Sequence, residues 1–495
     1  MTNTTHSIKL VKNGVYITPQ KQLILQRGIR MIRTPKQLFF PLTDQRGQQR
    51  EPIVDDNSTV LKGQTIAISS TGQSVAIHAS SSGVLKYSDA DNPQHLIIET
   101  DGRDQVLDYL PVNNPLLSTP RQLINFIKQA GISGMGGAGF PAHLKLLAAL
   151  KKPPQTLILN AVECDPSTAC DSALLVENLD CVLSGASILM HISAATRCII
   201  AIEDHQTTLL KRLQSAFVDR SNRAFDVVTV PTKYPSGSEQ QLVQSLTGQT
   251  INSKQTALDV GVICHNIATV VAIDRAINTG EPLINRVVSV SGPGLHQPTN
   301  LLVPIGSPLS SLIEATGASN KDSAPIIGGV MMGQVADNST AAILKETYSL
   351  WIPAKTTIPA EPQPCIRCGD CAYVCPTALQ PQSLYRLAQV QQWNQLEQDK
   401  TLSNCIECGA CDLVCPSQIP LTQTFIQAKQ RISDIRQSRQ KAEHAQQRFL
   451  TRQERLTRLA KQKQQITRKR KKLGDVQDMI NRIKNQVDNN NLLDK

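Results

Sequence analysis

The sequence has few aromatic residues, no clean apolar run and no apolar segment at its start. Aromatic residues make up 3% of the 495 residues, so cores built from its 40% hydrophobic residues must be mainly aliphatic. The first residues, MTNTTHSIKL, lack the apolar core of a secretory signal, and none is expected. The most apolar stretch, 181–202, contains His191 and Arg197 and falls short of the ~20 apolar residues of a membrane span. It predicts a buried helix followed by a strand, and any membrane role is expected to be peripheral.

The net positive charge of the chain comes from one segment. Residues 431–472 contain 15 Lys and Arg against 3 Asp and Glu, a net of +12. The whole chain carries +11, so the remainder is close to neutral at about −1. The high isoelectric point therefore describes a tail and not the main body.

Length and pattern predict roughly three or four domains with different secondary structure. We expect a multidomain α/β protein in which short alternating runs form β modules and buried strands alternating with helices form a largely parallel sheet. A weak heptad stripe through the charged tail predicts a long helix. The predicted units are a β module at 1–110, an α/β domain at 118–280, a small α+β module at 283–350, a cysteine-rich domain at 360–425 and a basic helical or coiled-coil tail at 426–495.

Eight of the thirteen cysteines form two copies of one spacing, each closed by a proline. This duplicated spacing is typical of two [4Fe–4S] clusters in which the fourth cysteine of each run ligates the other cluster. A helical pattern starting at Gln382 separates the runs and predicts a helical two-cluster module, ferredoxin-like in its ligands. The expected ligand sets are Cys365, Cys368, Cys371 and Cys415 for cluster 1, and Cys375, Cys405, Cys408 and Cys411 for cluster 2.

A pair of zinc sites is the alternative interpretation of these cysteines. Zinc usually takes paired CxxC units, whereas four evenly stepped cysteines followed by proline, repeated twice, fit iron–sulfur better. The other five cysteines lack ligand spacing and are expected to be small buried hydrophobes, with Cys164 as a candidate to line a site. They are Cys164, Cys170, Cys181, Cys198 and Cys264.

A second motif that indicates a binding site is a glycine-rich loop, GISGMGGAGFPAHLK, at 131–145. Its glycines satisfy GxGxxG, but a helical pattern precedes them, and a dinucleotide fingerprint needs a strand there. Bare backbone N–H groups before a helix starting after Pro141 favour an anion such as phosphate, with Lys145 as a point charge. By itself the motif leaves a phosphate site and a flexible turn both open.

Three further stretches place polar groups near the predicted sheet. One follows a buried strand directly, one offers an aromatic ring, a glycine and a carboxylate, and one offers side-chain amides. Together they provide the polar edge and flat face that a flavin and a nicotinamide require. The stretches are Asn160-Ala-Val-Glu-Cys-Asp-Pro, Tyr234-Pro-Ser-Gly-Ser-Glu and Cys264-His-Asn-Ile-Ala-Thr.

The order of these motifs resembles the FMN- and NADH-binding subunit of respiratory complex I. With an N-terminal module that resembles the barrel-sandwich hybrids related to lipoyl domains, a two-cluster segment and a basic tail, it resembles more closely the C subunit of the Rnf (Rsx) ion-translocating electron transport complexes. The resemblance implies a β-grasp (SLBB-like) module at 283–350. This sequence has Val162 and Ser238 where the complex I pattern has acids, and Cys164 where it has serine.

The resemblance implies roles for twelve residues. The glycines would bind the FMN phosphate, with Lys145 beside the cofactor, and Asn160 and Glu163 would line the flavin and nicotinamide region. The remaining positions would help to hold NADH or FMN. The set is Gly134, Gly136, Gly137, Gly139, Lys145, Asn160 and Glu163, then Tyr234, Gly237 and Glu239 for NADH, and Asn266 and Thr269 for FMN.

The family implies an oxidoreductase and translocase component that passes electrons between NADH, FMN and two [4Fe–4S] clusters, in either direction. It would be peripheral on the cytoplasmic face of a bacterial inner membrane, in a six-subunit complex exchanging electrons with ferredoxin-type carriers. A flavin-free iron–sulfur wire and a soluble NADH-dependent flavoprotein dehydrogenase component are the alternatives. For the tail we expect docking on partner subunits or anionic lipid, and binding to nucleic acid is disfavoured because Phe449 is its only aromatic residue.

Overall fold

The structure is a computed structural model. It describes residues 6–7, 13–89, 92–219, 224–252, 255–318, 324–336, 341–354, 361–399 and 401–491. Within these ranges the strands form four sheets, and the C-terminal part is helical.

The N-terminal module packs two small antiparallel sheets against each other, with strand orders β3-β9-β8-β5 and β4-β6-β7. Side chains alternate between core and solvent along the longer strands, so that Leu96 and Ile98 are buried while their neighbours are half-buried. The elements of this part of the chain are β1 (His6–Ser7), α1 (Gln22–Leu25), β2 (Ile29–Met31), β3 (Gln37–Pro41), β4 (Glu51–Pro52), β5 (Thr59–Val60), β6 (Thr65–Ile68), β7 (Ile77–His78), β8 (Gly83–Tyr87) and β9 (His95–Thr100).

The second part is the expected α/β layer. Its five strands are all parallel in the order β1-β12-β11-β10-β13, and helices cover the sheet. The stretch 181–202 is a buried helix followed by a strand, as predicted. The elements are α2 (Pro120–Gln129), α3 (Ala142–Lys151), β10 (Thr156–Asn160), α4 (Cys170–Glu177), α5 (Leu179–Ser193), β11 (Arg197–Glu203), α6 (Thr207–Asp219), β12 (Phe225–Val230), α7 (Glu239–Thr247), β13 (Val262–Asn266) and α8 (Ile267–Asn278).

A mixed six-stranded sheet with helix α9 beside it follows, in the order β17-β16-β18-β14-β15-β2. Its own core contains Val288, Val290 and Leu350. The elements are β14 (Asn285–Ser291), β15 (Thr299–Pro304), α9 (Leu309–Thr316), β16 (Ile326–Ile327), α10 (Gly329–Met332), β17 (Gln334–Val335) and β18 (Ser349–Trp351).

The first thirty residues differ from the sequence expectation of one β module over 1–110. Strand β1 pairs in parallel with β12 of the α/β sheet, and β2 pairs in parallel with β15 of the mixed sheet. The chain therefore adds one strand to each of the two later sheets before it enters the barrel sandwich at β3. Short strands without a local partner must pair with distant edges to satisfy their backbone groups, and sequence periodicity does not show which edge they choose.

The cysteine-rich segment is helical, as predicted, and its short helices α11 and α14 begin after glycines with positive φ, Gly369 (+90°) and Gly409 (+72°). The elements are α11 (Asp370–Tyr373), α12 (Pro381–Gln389), α13 (Trp393–Asp399), α14 (Ala410–Leu413) and α15 (Leu421–Asn491).

The tail is one helix of 71 residues that starts inside the cysteine-rich domain, at Leu421 rather than at 426. Its first turns are part of that domain, because Phe425, Ala428 and Ile432 are buried against α12 and α13. The large apolar residues of this helix from Phe449 to Ile483 are exposed.

Among the described residues, no single helix combines the length and the apolar character of a membrane span. Helices α4 and α5 are long and apolar enough only when they are taken together, and they are bent by 97° relative to each other.

The two phenylalanines of α15 provide a matched test of this arrangement. Phe425 is 1% exposed and Phe449 is 59% exposed on the same helix. Phe425→Ala should destabilise the cysteine-rich domain by about 3–5 kcal/mol, because it leaves a cavity, whereas Phe449→Ala should change little. Anaerobic thermal loss of the visible iron–sulfur absorbance measures this. Equal midpoints for the two variants would contradict the assignment of the first turns to the domain.

Candidate functional site

The glycine loop lies at the carboxyl edge of the parallel sheet, between α2 and α3. Strands β10 and β13 are paired in register so that Asn160 and Asn266, their last residues, lie side by side. Gly136 packs against Asn266 so closely that a Cβ there would lie 3.3 Å from the Asn266 Cβ. Ligands of parallel α/β sheets bind at this edge.

The loop is turned back on itself by its own backbone. The N–H of Gly134 donates to the Phe140 carbonyl at 2.7 Å, and the N–H of Gly139 donates to the Gly134 carbonyl at 3.2 Å. Gly137 (φ +99°) and Gly139 (φ +61°) adopt conformations that disfavour other residues. The turn is therefore built on glycine for conformational reasons.

Three consecutive backbone N–H groups at the tip, those of Gly136, Gly137 and Ala138, have no acceptor among the described residues. Consecutive free N–H groups in such a turn form a concave site for an anion. Lys145, on the first turns of α3, provides a cation held by Glu239 at 3.1 Å and by the Cys264 carbonyl at 2.6 Å. The three N–H groups are a donor set that suits the phosphate of FMN.

Residues from other parts of the chain form hydrogen bonds to the backbone of the loop. Thr269 of α8 accepts a hydrogen bond from the Met135 N–H at 2.9 Å through its Oγ1. Arg286 of β14, fully buried, donates to the Met135 carbonyl at 3.2 Å. Lys345 donates to the carbonyls of Gly131 (2.6 Å) and Ala76 (2.8 Å), and burial lowers its pKa to about 7. Sequence reasoning missed Arg286 and Lys345, since neither lies in a motif.

Asn160 and Gly237, two of the residues to which the resemblance gives a role in cofactor binding, lie together. The Asn160 amide donates to the Gly237 carbonyl at 2.8 Å and accepts from the Val162 N–H at 3.0 Å. A Cβ at Gly237 would lie 2.1 Å from the Val162 carbonyl oxygen and 3.1 Å from the Cys164 Sγ, so no larger residue fits there. Burial raises the pKa of Cys164 to about 12, so this thiol stays protonated.

Glu163 is placed differently from the expectation that it lines the flavin and nicotinamide region. Its carboxylate is 7% exposed and accepts from the N–H groups of Asp171 (3.0 Å) and Ser172 (2.9 Å) at the start of α4. Its side chain thus caps a helix, where a negative charge is stabilised. Burial, and second the charge of the neighbouring Glu163, raise the pKa of Asp171 well above its usual range.

Tyr234 also departs from the expectation that it contacts NADH. Its ring is 3% exposed and packs on Val374, Cys408 and Ala410 of the cysteine-rich domain. Its hydroxyl donates to the Cys408 carbonyl. The ring is therefore engaged by a neighbouring domain and is not available to stack on a nicotinamide. Contacts between distant domains leave no signal in a local motif.

A buried ion pair lies next to Glu163, and the sequence did not predict it. Lys21, 2% exposed, donates to the Glu203 carboxylate and to the Glu163 carbonyl. Burial raises the pKa of Glu203 to about 7. The pair fixes the N-terminal segment against the end of β11, and the sequence around Lys21 carries no pattern that predicts it.

The eight motif cysteines line two separate cavities. One is lined by Cys365, Cys368, Cys371 and Cys415, and the other by Cys375, Cys405, Cys408 and Cys411. These are the two groups that the crossed scheme predicts from spacing. Four sulfurs around one small cavity, with Gly369 or Gly409 beside it, are a donor set suited to a [4Fe–4S] cluster.

The two cavities differ in exposure. Cys365 and Cys368 are exposed, whereas Cys408 is buried against the α/β domain. Burial raises the pKa of Cys408 to about 12 and also raises the pKa of Cys371 and Cys405. Iron binds the thiolate, so filling these cavities must release protons.

Three family models match successive parts of the chain. They are described as the RnfC barrel sandwich hybrid domain at residues 9–103, the Nuo51 FMN-binding domain at 127–275 and a 4Fe-4S dicluster domain at 364–419. The chain thus carries an FMN-binding domain and an iron–sulfur domain.

Curated relatives match most of the length of this chain. The chain is 33% identical over 404 residues to the C subunit of the "Proton-translocating ferredoxin:NAD(+) oxidoreductase complex" of Clostridium ljungdahlii, covering 80% of this chain and 88% of that one. The chain belongs to the RnfC family, the C subunits of ion-translocating oxidoreductase complexes. A member from Rhodobacter capsulatus is 35% identical over 385 residues, covering 75% and 73% of the two chains.

Other members of the RnfC family are longer. The Pasteurella multocida member is 36% identical over 450 residues, which is 88% of this chain but 53% of that one. The chain thus spans about half the length of this relative. A solved NAD+-reducing [NiFe]-hydrogenase chain aligns with 60% of this chain, and with 60% of its own length, at 17% identity and a TM-score of 0.45.

Thr269 allows the site to be tested with conservative variants. Thr269→Val removes the acceptor of the Met135 N–H, and a buried unpaired N–H costs about 1–3 kcal/mol, so the loop should loosen and FMN affinity should fall. Thr269→Ser keeps the oxygen and should bind FMN as the wild type does. Quenching of FMN fluorescence by cofactor-free protein measures both. Equal affinity for the valine variant would contradict the role of this hydrogen bond.

Proposed function

We propose that the chain is a peripheral electron-transfer component of a membrane-bound Rnf-type complex, which couples electron transfer between NADH and ferredoxin-type carriers to ion translocation. The family membership and the combination of an FMN-binding domain with an iron–sulfur domain support this proposal. We place the chain on the cytoplasmic face of the inner membrane, among the other members of a six-subunit complex. The basic tail would contact these partners or anionic lipid.

The proposed domain division follows the sites. It comprises a barrel-sandwich module at 1–110, an FMN- and NADH-binding domain at 118–280, a β-grasp (SLBB-like) module at 283–350, a two-[4Fe–4S] domain at 360–425 and the helical tail at 426–495. The segment before β3 adds strands β1 and β2 to the sheets of the two following modules, and the first turns of the tail pack on the two-[4Fe–4S] domain. The mixed sheet with α9 supports the β-grasp assignment, and the two four-cysteine cavities support the count of two clusters.

The observation that carries the proposal is a single loop that touches both redox sites. The segment between β12 and α7 contacts Asn160 through Gly237 at one end and Cys408 through Tyr234 at the other. The side chain of Gln241, on α7, also donates to the Pro376 carbonyl at 3.4 Å. This one loop therefore couples the geometry of the flavin region to that of cluster 2.

In this mechanism the chain binds and orients, and the cofactors carry the electrons. Bound FMN supplies the exchange between a two-electron hydride carrier and one-electron centres. The free N–H groups at the glycine tip would hold its phosphate, with Lys145 beside the cofactor, and Asn160 would lie at its polar edge. The same residues would hold the cofactor whichever way the electrons flow.

The cysteines determine the order of electron transfer. The cavity for cluster 2 lies against the flavin domain, because Cys408 packs on Tyr234, and the cavity for cluster 1 lies on the outer side, because Cys365 and Cys368 are exposed. Electrons from NADH would therefore enter cluster 2 first and leave through cluster 1 to a partner.

Single cysteine variants test the cluster assignment. Cys368→Ala should lose about half of the iron, since one of two clusters loses a ligand, and should keep FMN. Cys181→Ala, at a half-buried cysteine of α5 outside both cavities, should keep iron and FMN. Iron, sulfide and FMN analysis of anaerobically purified protein measures this. Full iron content in Cys368→Ala would contradict the ligand set.

The order of the clusters has its own test. In Cys368→Ala, NADH should still reduce the remaining cluster, because that cluster lies next to the flavin domain. In Cys408→Ala, the remaining cluster should be reduced by dithionite but far more slowly by NADH. EPR after rapid mixing distinguishes these cases. Equal rates of reduction by NADH in the two variants would contradict the proposed order.

A further inference from the structure

A tight hairpin of the barrel-sandwich module, residues 43–49, reaches the tip of the glycine loop. Asp44 fixes its tip, because one carboxylate oxygen accepts from the N–H groups of Arg46 and Gln48, both at 2.9 Å. The other oxygen accepts from the Ser74 hydroxyl at 2.6 Å. The tip is therefore held in a defined shape by the body of its own module.

Two side chains of this tip contact the glycine loop. The Gln45 amide donates to the Gly137 carbonyl at 2.9 Å, and the Arg46 guanidinium lies over the Phe140 ring, 4.9 Å from its centroid. A Cβ on Gly139 would lie 2.5 Å from the Gln45 nitrogen. These contacts come from residues about ninety positions away in the chain.

The contact with Gln45 controls a peptide that faces the anion site. In a trans peptide the carbonyl and the following N–H point in opposite directions. A hydrogen bond that holds the Gly137 carbonyl toward the hairpin therefore turns the Ala138 N–H to the other side. That N–H is one of the three at the tip without an acceptor among the described residues.

We propose that the barrel-sandwich module completes the FMN site, with Gln45 as a positioning residue that orients the Gly137–Ala138 peptide toward the FMN phosphate. Arg46 holds the tip on the loop through its contact with Phe140. The module then has a role in cofactor binding, although it contributes no residue to the motifs that resemble complex I. This inference rests on the binding of FMN at the glycine loop.

The experiment uses the full chain freed of cofactors, with FMN and riboflavin as the two probes. Riboflavin lacks only the phosphate, so it reports on binding of the ring and the ribityl chain. Gln45→Met keeps the size of the side chain and removes its donor. We expect its FMN dissociation constant to rise about tenfold, the effect of losing roughly one hydrogen bond, while riboflavin affinity changes little.

A matched control lies on the same hairpin. Gln49 is exposed, and its side chain donates to Thr43 Oγ1 at 2.7 Å within the hairpin. Gln49→Met should therefore leave both affinities as in the wild type.

Unchanged FMN affinity in Gln45→Met, or equal weakening of FMN and riboflavin, would overturn the inference while FMN binding by the wild type stands. A wild-type chain that binds neither flavin would instead overturn the FMN assignment, and this inference with it.

Discussion

Backbone N–H groups bind an anion well only when the peptides that carry them are held in place before the anion arrives. A turn of glycines is flexible by itself, so residues outside the glycine loop must hold its peptides in place. Thr269 fixes the peptide before Met135, Arg286 fixes the peptide after it, and Lys345 fixes the start of the loop at Gly131. Gln45 adds the contact at the tip. Three modules therefore depend on one another at this loop.

The same dependence links the flavin region to the iron–sulfur domain. Tyr234 buries its ring against Val374 and Ala410, and the N-terminal segment adds a hydrogen bond from the Gly14 N–H to the Val374 carbonyl at 2.8 Å. Electron transfer needs a fixed separation between centres, and a loop packed on both sides provides it. The exposed side of the cysteine-rich domain, at Cys365 and Cys368, is accessible to a partner.

The sequence predicts the features that are local. The parallel sheet, the helix after Pro141 and the helical cysteine-rich segment follow from periodicity, and the grouping of cysteines into two sets follows from spacing. The positions of Tyr234 and Glu163 could not be predicted, because their partners are Cys408 and the start of α4, which no nearby pattern specifies. The contact of Gln45 with Gly137 joins two modules and is visible only in three dimensions.

In the proposed function, electrons pass from NADH through the flavin site to the clusters of this chain. EPR of anaerobic protein mixed with NADH, with and without prior removal of FMN, tests this path. We expect reduced [4Fe–4S] signals in the FMN-loaded protein, their loss when FMN is removed, and their return when FMN is added back. Silence in the loaded protein, or signals that do not depend on FMN, would contradict it.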